Sequence, residues 1–74
     1  MVKIAIYKKD DGALLVIWKT PKEKLIGEYF HNGIEKRGKW DERATFEDKD
    51  ATEYRVLEYF GFDTTQPAYW KRWA

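Results

Sequence analysis

Residues 20–40 read Thr20-Pro21-Lys22-Glu23-Lys24-Leu25-Ile26-Gly27-Glu28-Tyr29-Phe30-His31-Asn32-Gly33-Ile34-Glu35-Lys36-Arg37-Gly38-Lys39-Trp40, and they decide the fold because they fit two different structures. Thr20-Pro21-Lys22-Glu23 has the spacing of a capping box with proline at the first helical position, and Leu25, Ile26, Tyr29 and Phe30 then share one helical face. Asn32-Gly33, however, is the preferred two-residue hairpin turn. Folding the chain there opposes His31 to Ile34, Glu28 to Arg37, Gly27 to Gly38 and Leu25 to Trp40. One face collects Leu25, Tyr29, Ile34 and Trp40, and the other collects Glu28, Glu35, Arg37 and Lys39 beside Ile26 and Phe30. That sorting, and the roughly 1 kcal/mol that Gly27 costs a helix relative to alanine, favour the hairpin.

Upstream, Val2, Ile4 and Ile6 alternate with Lys3, Ala5 and Tyr7, the period of a strand with one face on a core. Residues 13–18 are apolar at every position, which suits a central strand covered on both sides. Lys9-Asp10-Asp11-Gly12 between the two runs marks a hairpin. Downstream, Ala44 and Phe46 extend a short alternation, and Asp50-Ala51-Thr52-Glu53 has capping-box spacing ahead of Tyr54, Val56, Leu57 and Phe60. Gly61 followed by Phe62 ends that helix in the Schellman manner. These signals predict an α+β domain spanning residues 1–74. Its antiparallel sheet has three to five strands, and one helix near residues 51–60 packs on a sheet face. Residues 64–74 form an aromatic and basic tail in which Pro67 can open a short helix.

Composition narrows the chemistry. The 74 residues contain no cysteine and no serine, which excludes disulfides, thiolate metal sites and both thiol and serine nucleophiles. The one imidazole, His31, sits beside the expected turn and reads as a solvated residue rather than a base. Asp41, Glu42, Glu47, Asp48 and Asp50 offer oxygen ligands, but no spacing organises them around a cation, and the glycines form no phosphate loop. Neither an enzyme, a metal nor a cofactor is expected. Residues 1–40 carry nine Lys/Arg against five Asp/Glu, residues 41–63 three against eight, and residues 64–74 two against none. The net +1 is therefore a cancellation, and the uniform basic face of a nonspecific DNA binder is missing. The alternating start and the short apolar run at 13–18, against the roughly 20 residues of a membrane helix, point to a cytoplasmic protein without a membrane partner.

Four Trp, five Tyr and four Phe are more rings than a chain of this size can hide, since a small domain buries only about 60% of its unfolded surface. Tyr69, Trp70, Arg72 and Trp73 have the composition that dominates protein interfaces. They imply a small non-catalytic protein-binding module: an adaptor, an inhibitor that occludes a larger target in the manner of virus and mobile-element accessory proteins, or a homodimer. The alternative is a nucleic-acid-binding domain, in which Lys36, Arg37, Lys39, Trp40 and Lys71 set cations beside stacking rings.

Overall fold

The computed structural model describes residues 1–32, 40–48, 51–66 and 70–72. Among them five strands and one helix follow in the order β1 (Val2–Lys9), β2 (Leu14–Lys19), β3 (Leu25–Phe30), β4 (Glu42–Phe46), α1 (Glu53–Tyr59) and β5 (Trp70–Arg72). All pairings are antiparallel and the sheet order is β4-β3-β2-β1-β5. The first four strands form a meander; the chain then crosses the sheet through α1 and adds β5 beyond β1. As its unbroken apolar run requires, β2 is the middle strand, and Leu14, Leu15, Val16 and Ile17 are buried.

Residues 20–24 turn between β2 and β3, so Thr20-Pro21-Lys22-Glu23 opens a strand rather than a helix. The Thr20 N–H donates to the Lys24 carbonyl (2.9 Å) and the Glu23 N–H to the Thr20 carbonyl (2.9 Å). Thr20 Oγ1 accepts from the Lys24 N–H (3.1 Å), which is the local bond that imitates a helix cap in the sequence.

The second hairpin exists, but its register differs from the one that Asn32-Gly33 suggests. Leu25 opposes Phe46, Gly27 opposes Ala44, Glu28 opposes Arg43 and Tyr29 opposes Glu42. The pairs Leu25–Trp40, Glu28–Arg37 and Gly27–Gly38 are therefore replaced, and Gly33, Ile34 and Glu35 lie outside the described residues. The two registers differ by six residues, an even number that leaves every side chain on its own face, so the choice between them rests on which residues meet the helix and not on sidedness. In the observed register Phe46 and Ala44 reach the helix side, while Trp40 is left outside the strand with 38% exposure. The neck is closed by Asp41, whose N–H donates to the Tyr29 carbonyl (2.8 Å) and whose carboxylate accepts from the His31 N–H (2.6 Å).

Helix α1 is capped by Thr52, whose hydroxyl accepts from the Arg55 N–H (3.4 Å), and Asp50 lies outside the described residues. At 100° per residue Glu53, Val56, Leu57 and Phe60 fall within a sector of roughly 100°, which faces the sheet. Tyr54 falls outside that sector and is 65% exposed, whereas Leu57 and Phe60, which follow it at three-residue spacing, are buried. The helix ends as its sequence requires: Gly61 takes φ +78°, its N–H donates to the Glu58 carbonyl (3.1 Å), and the Phe62 N–H donates to the Leu57 carbonyl (2.8 Å). Phe62 is fully buried.

Two apolar clusters result, one on each face. Tyr7, Leu15, Ile17, Leu25 and Phe46 meet Val56, Leu57, Phe60 and Phe62 on the helix side. Ile6, Leu14, Val16 and Phe30 cluster on the other side with Trp18 packed against them.

Candidate functional site

The antiparallel ladder opposes Tyr7 to Arg72, Lys8 to Lys71 and Lys9 to Trp70. Residues 70–72 are thus an edge strand, not part of the short helix that Pro67 suggested. Pairing gives the backbone groups on this side of β1 their partners, which a helix would leave unmet. Because strand side chains alternate, Trp70 and Arg72 stand on the helix side of the sheet and Lys71 on the other.

On the helix side Arg72 meets the first turn of α1, and Trp70 meets the residues that follow the helix. The Trp70 ring meets Tyr7 edge-on at 5.5 Å and Phe62 at 6.4 Å, and its indole N–H donates to the Asp63 carbonyl (2.7 Å). Glu53 spans the strand–helix seam: one oxygen accepts from the Tyr7 hydroxyl (2.6 Å) and the other lies 3.6 Å from the Arg72 guanidinium. Arg72 also donates to the Ile4 carbonyl (2.8 Å), which ties the tail to the β1 edge beyond β5. Burial first, and then the hydrogen bond and charge of Glu53, push the Tyr7 phenol up to about 12. At neutral pH Tyr7 is therefore a fixed hydrogen-bond donor and no proton acceptor. Between these groups lies a shallow cleft of about 320 Å³ lined by Tyr7, Glu53, Tyr54, Leu57, Trp70 and Arg72.

Of the four residues that the sequence marks for partner binding, Trp70 and Arg72 share this cleft, and Tyr69 and Trp73 lie outside the described residues. Of the alternative set, Lys36, Arg37 and Lys39 lie outside the described residues. Trp40 lies beneath the Arg43 guanidinium, 4.8 Å from the ring centroid, beside β4. Lys71 is on β5, at the opposite edge, four strand spacings or about 19 Å away. Tyr7, Glu53 and Tyr54 belong to the cleft without having been marked by sequence. Tyr54 alone carried a readable signal, its place off the apolar sector of α1.

Among the described residues no three His, Asp or Glu side chains converge to hold a metal ion. The acidic stretch is spent on ion pairs instead: Asp48 binds Arg55, and Glu47 lies 3.4 Å from Lys24. Among the same residues no helix is long and apolar enough to cross a membrane. No protein-family model, curated protein or solved structure matches this chain.

Proposed function

We propose that the chain is a small non-catalytic protein-binding module, an adaptor or an inhibitor that occludes a larger protein, with its contact surface over α1 and β5. The observation that carries this reading is the grouping of exposed Tyr54 with half-buried Trp70 and with Arg72 around one cleft. Tyr, Trp and Arg are the residue types that supply most interface energy. Trp70 is held by two rings and a hydrogen bond, so little side-chain freedom is lost when a partner covers it. Tyr69 and Trp73 flank it in sequence and lie outside the described residues. In the cleft the Glu53 carboxylate is engaged by both the Tyr7 hydroxyl and the Arg72 guanidinium, which favours binding over chemistry. Cytoplasmic residence and an accessory role in a virus or mobile element belong to the same proposal.

The test is capture of partners from source cells on immobilised wild-type chain and on Tyr54→Ala. A partner held by the wild type and weakened about tenfold or more by the variant, at unchanged melting temperature, supports the proposal. Equal capture by both chains overturns this surface. A second reading, single-stranded nucleic acid, is favoured by the stacked Trp40–Arg43 pair. It requires oligonucleotide affinity that falls steeply with salt, and no binding at low salt sinks it.

A further inference from the structure

Strand β5 differs from the other elements in how little of it is sealed. β1, β2, β3, β4 and α1 each deliver a buried residue to the helix-side cluster (Ala5, Leu15, Leu25, Phe46 and Val56), whereas in β5 Trp70 is half-buried and Lys71 and Arg72 are exposed. It is also the shortest strand, three residues paired to β1, and Lys71 opposes Lys8, which sets like charges across the ladder. Segments with few buried apolar contacts open at a lower free energy than the whole fold. We propose that β5 is a latch that leaves the sheet as a unit while β1–β4 and α1 stay folded, exchanging the α1–β5 cleft for an uncovered β1 edge.

The side-chain anchors of β5 come away without orphaning a buried group. The Trp70 indole N–H donates to the Asp63 carbonyl and the Arg72 guanidinium to the Ile4 carbonyl, and both bonds are solvent-exposed, so water replaces them when β5 leaves. Glu53 loses the Arg72 guanidinium at 3.6 Å but keeps the bond from the Tyr7 hydroxyl. Phe62 stays under the Lys9 ammonium, 4.7 Å from the ring centroid. What opening costs is the contact of the Trp70 ring with Tyr7 and Phe62, and the three-residue ladder.

The two states present different surfaces. With β5 in place, Trp70 and Arg72 line the cleft and Tyr7–Lys9 are paired. With β5 out, the cleft loses both side chains and the backbone of Tyr7–Lys9 becomes an open edge, a template for an extended segment. The surfaces exclude each other, so anything that binds one of them and not the other shifts the latch.

The test is amide hydrogen exchange followed by NMR on the full chain, comparing the amides bonded across the β1–β5 ladder with those of Leu15, Val16 and Ile17 in β2. The ladder amides are expected to be about a hundredfold less protected. Gly27→Ala puts a Cβ 2.5 Å from Phe60 Cε2 whether β5 is in or out, so it should lower β2 protection about tenfold and leave the ladder amides unchanged. The chain has no cysteine, and Lys8→Cys/Lys71→Cys places two thiols at opposed positions, within the span of a disulfide. Oxidation should abolish the difference between ladder and β2 amides, and reduction should restore it. Equal protection of the two sets in the wild type overturns the latch, as does an equal fall of both in Gly27→Ala or a difference that survives the disulfide. These outcomes are independent of whether the α1–β5 surface binds a partner.

Discussion

Gly27 and Glu28 are neighbours in β3, yet they close the two faces of the sheet by opposite means. On the helix side the chain needs the absence of a side chain: a Cβ on Gly27 would lie 2.5 Å from Phe60 Cε2 and 2.7 Å from Val56 Cγ1, so the helix rests directly on the strand backbone. On the other side Glu28 is 8% exposed and both its oxygens are engaged, one accepting from the Trp18 indole (2.6 Å), the other 3.4 Å from Arg43. The first face is specified by shape and the second by a satisfied charge. That distinction sets how each should fail. The helix side fails when volume is added, and the other when a partner is removed.

The largest effect is expected at Gly27. Gly27→Val must move the Phe60 ring and the Val56 methyl, and overpacking of this kind costs about 2–3 kcal/mol. For a domain of this size that is a fall of roughly 10–20 °C in melting temperature, readable by circular dichroism. A loss within about 0.5 kcal/mol would mean that the helix sits further from β3 than described. Next comes Glu28. Glu28→Ala leaves the Trp18 N–H and the Arg43 guanidinium without their acceptor and should cost about 2 kcal/mol, whereas Glu28→Gln keeps an acceptor and should cost about half as much. Urea denaturation of the two variants checks the order; equal losses would show that the charge, and not hydrogen-bond satisfaction, holds this face.

The helix side also has a polar bond to compare with the Glu28 network, Tyr7 to Glu53. Tyr7→Phe removes it and should cost about 1 kcal/mol at neutral pH. Its pH dependence is more diagnostic. The folded phenol titrates at about 12 against an unfolded value near 10, so the folded chain keeps a proton that the unfolded chain gives up. The contribution is complete below the unfolded value and is lost as pH rises from about 10 to about 12, at up to about 1.4 kcal/mol per unit. In Tyr7→Phe this alkaline decline should be shallower than in the wild type. Parallel curves would place Tyr7 away from Glu53.

What could be read from the sequence follows the same division between local and distant causes. The first hairpin, the central place of residues 14–17 and the stop at Gly61 rest on turn chemistry and apolar periodicity within a few residues. The register of β3 on β4 rests on where Phe46 and Ala44 meet the helix, and Asn32-Gly33 gave the stronger local signal. Strand β5 pairs Arg72 with Tyr7, more than sixty residues earlier, and three residues leave no periodicity to detect. The candidate cleft was legible by half for the same reason: Trp70 and Arg72 stand out by composition, but Tyr7 and Glu53 join them only through the crossing of α1.

The smallest effect belongs to a turn that lies on neither face and shows why a good signal can mislead. The β1–β2 and β2–β3 turns share one bond pattern: Lys9 N–H to Ala13 carbonyl (2.9 Å) with Gly12 N–H to Lys9 carbonyl (3.0 Å), and Thr20 N–H to Lys24 carbonyl with Glu23 N–H to Thr20 carbonyl, both 2.9 Å. Each needs a left-handed residue at the same position, filled by Gly12 at φ +94° and by Glu23 at φ +62°. Glycine announces the first turn, whereas glutamate disguises the second as a capping box. A side chain in that conformation costs about 1 kcal/mol or more, and glycine's greater freedom in the unfolded chain gives back part of the difference. Glu23→Gly should therefore stabilise the protein by about 0.5 kcal/mol, a small rise in urea midpoint with unchanged slope. Because it alters neither the Gly27 contact nor the Glu28 network, that gain should add to the losses of Gly27→Val and Glu28→Ala without coupling to either. Coupling with Gly27→Val alone would show that the turn and the helix position are set together.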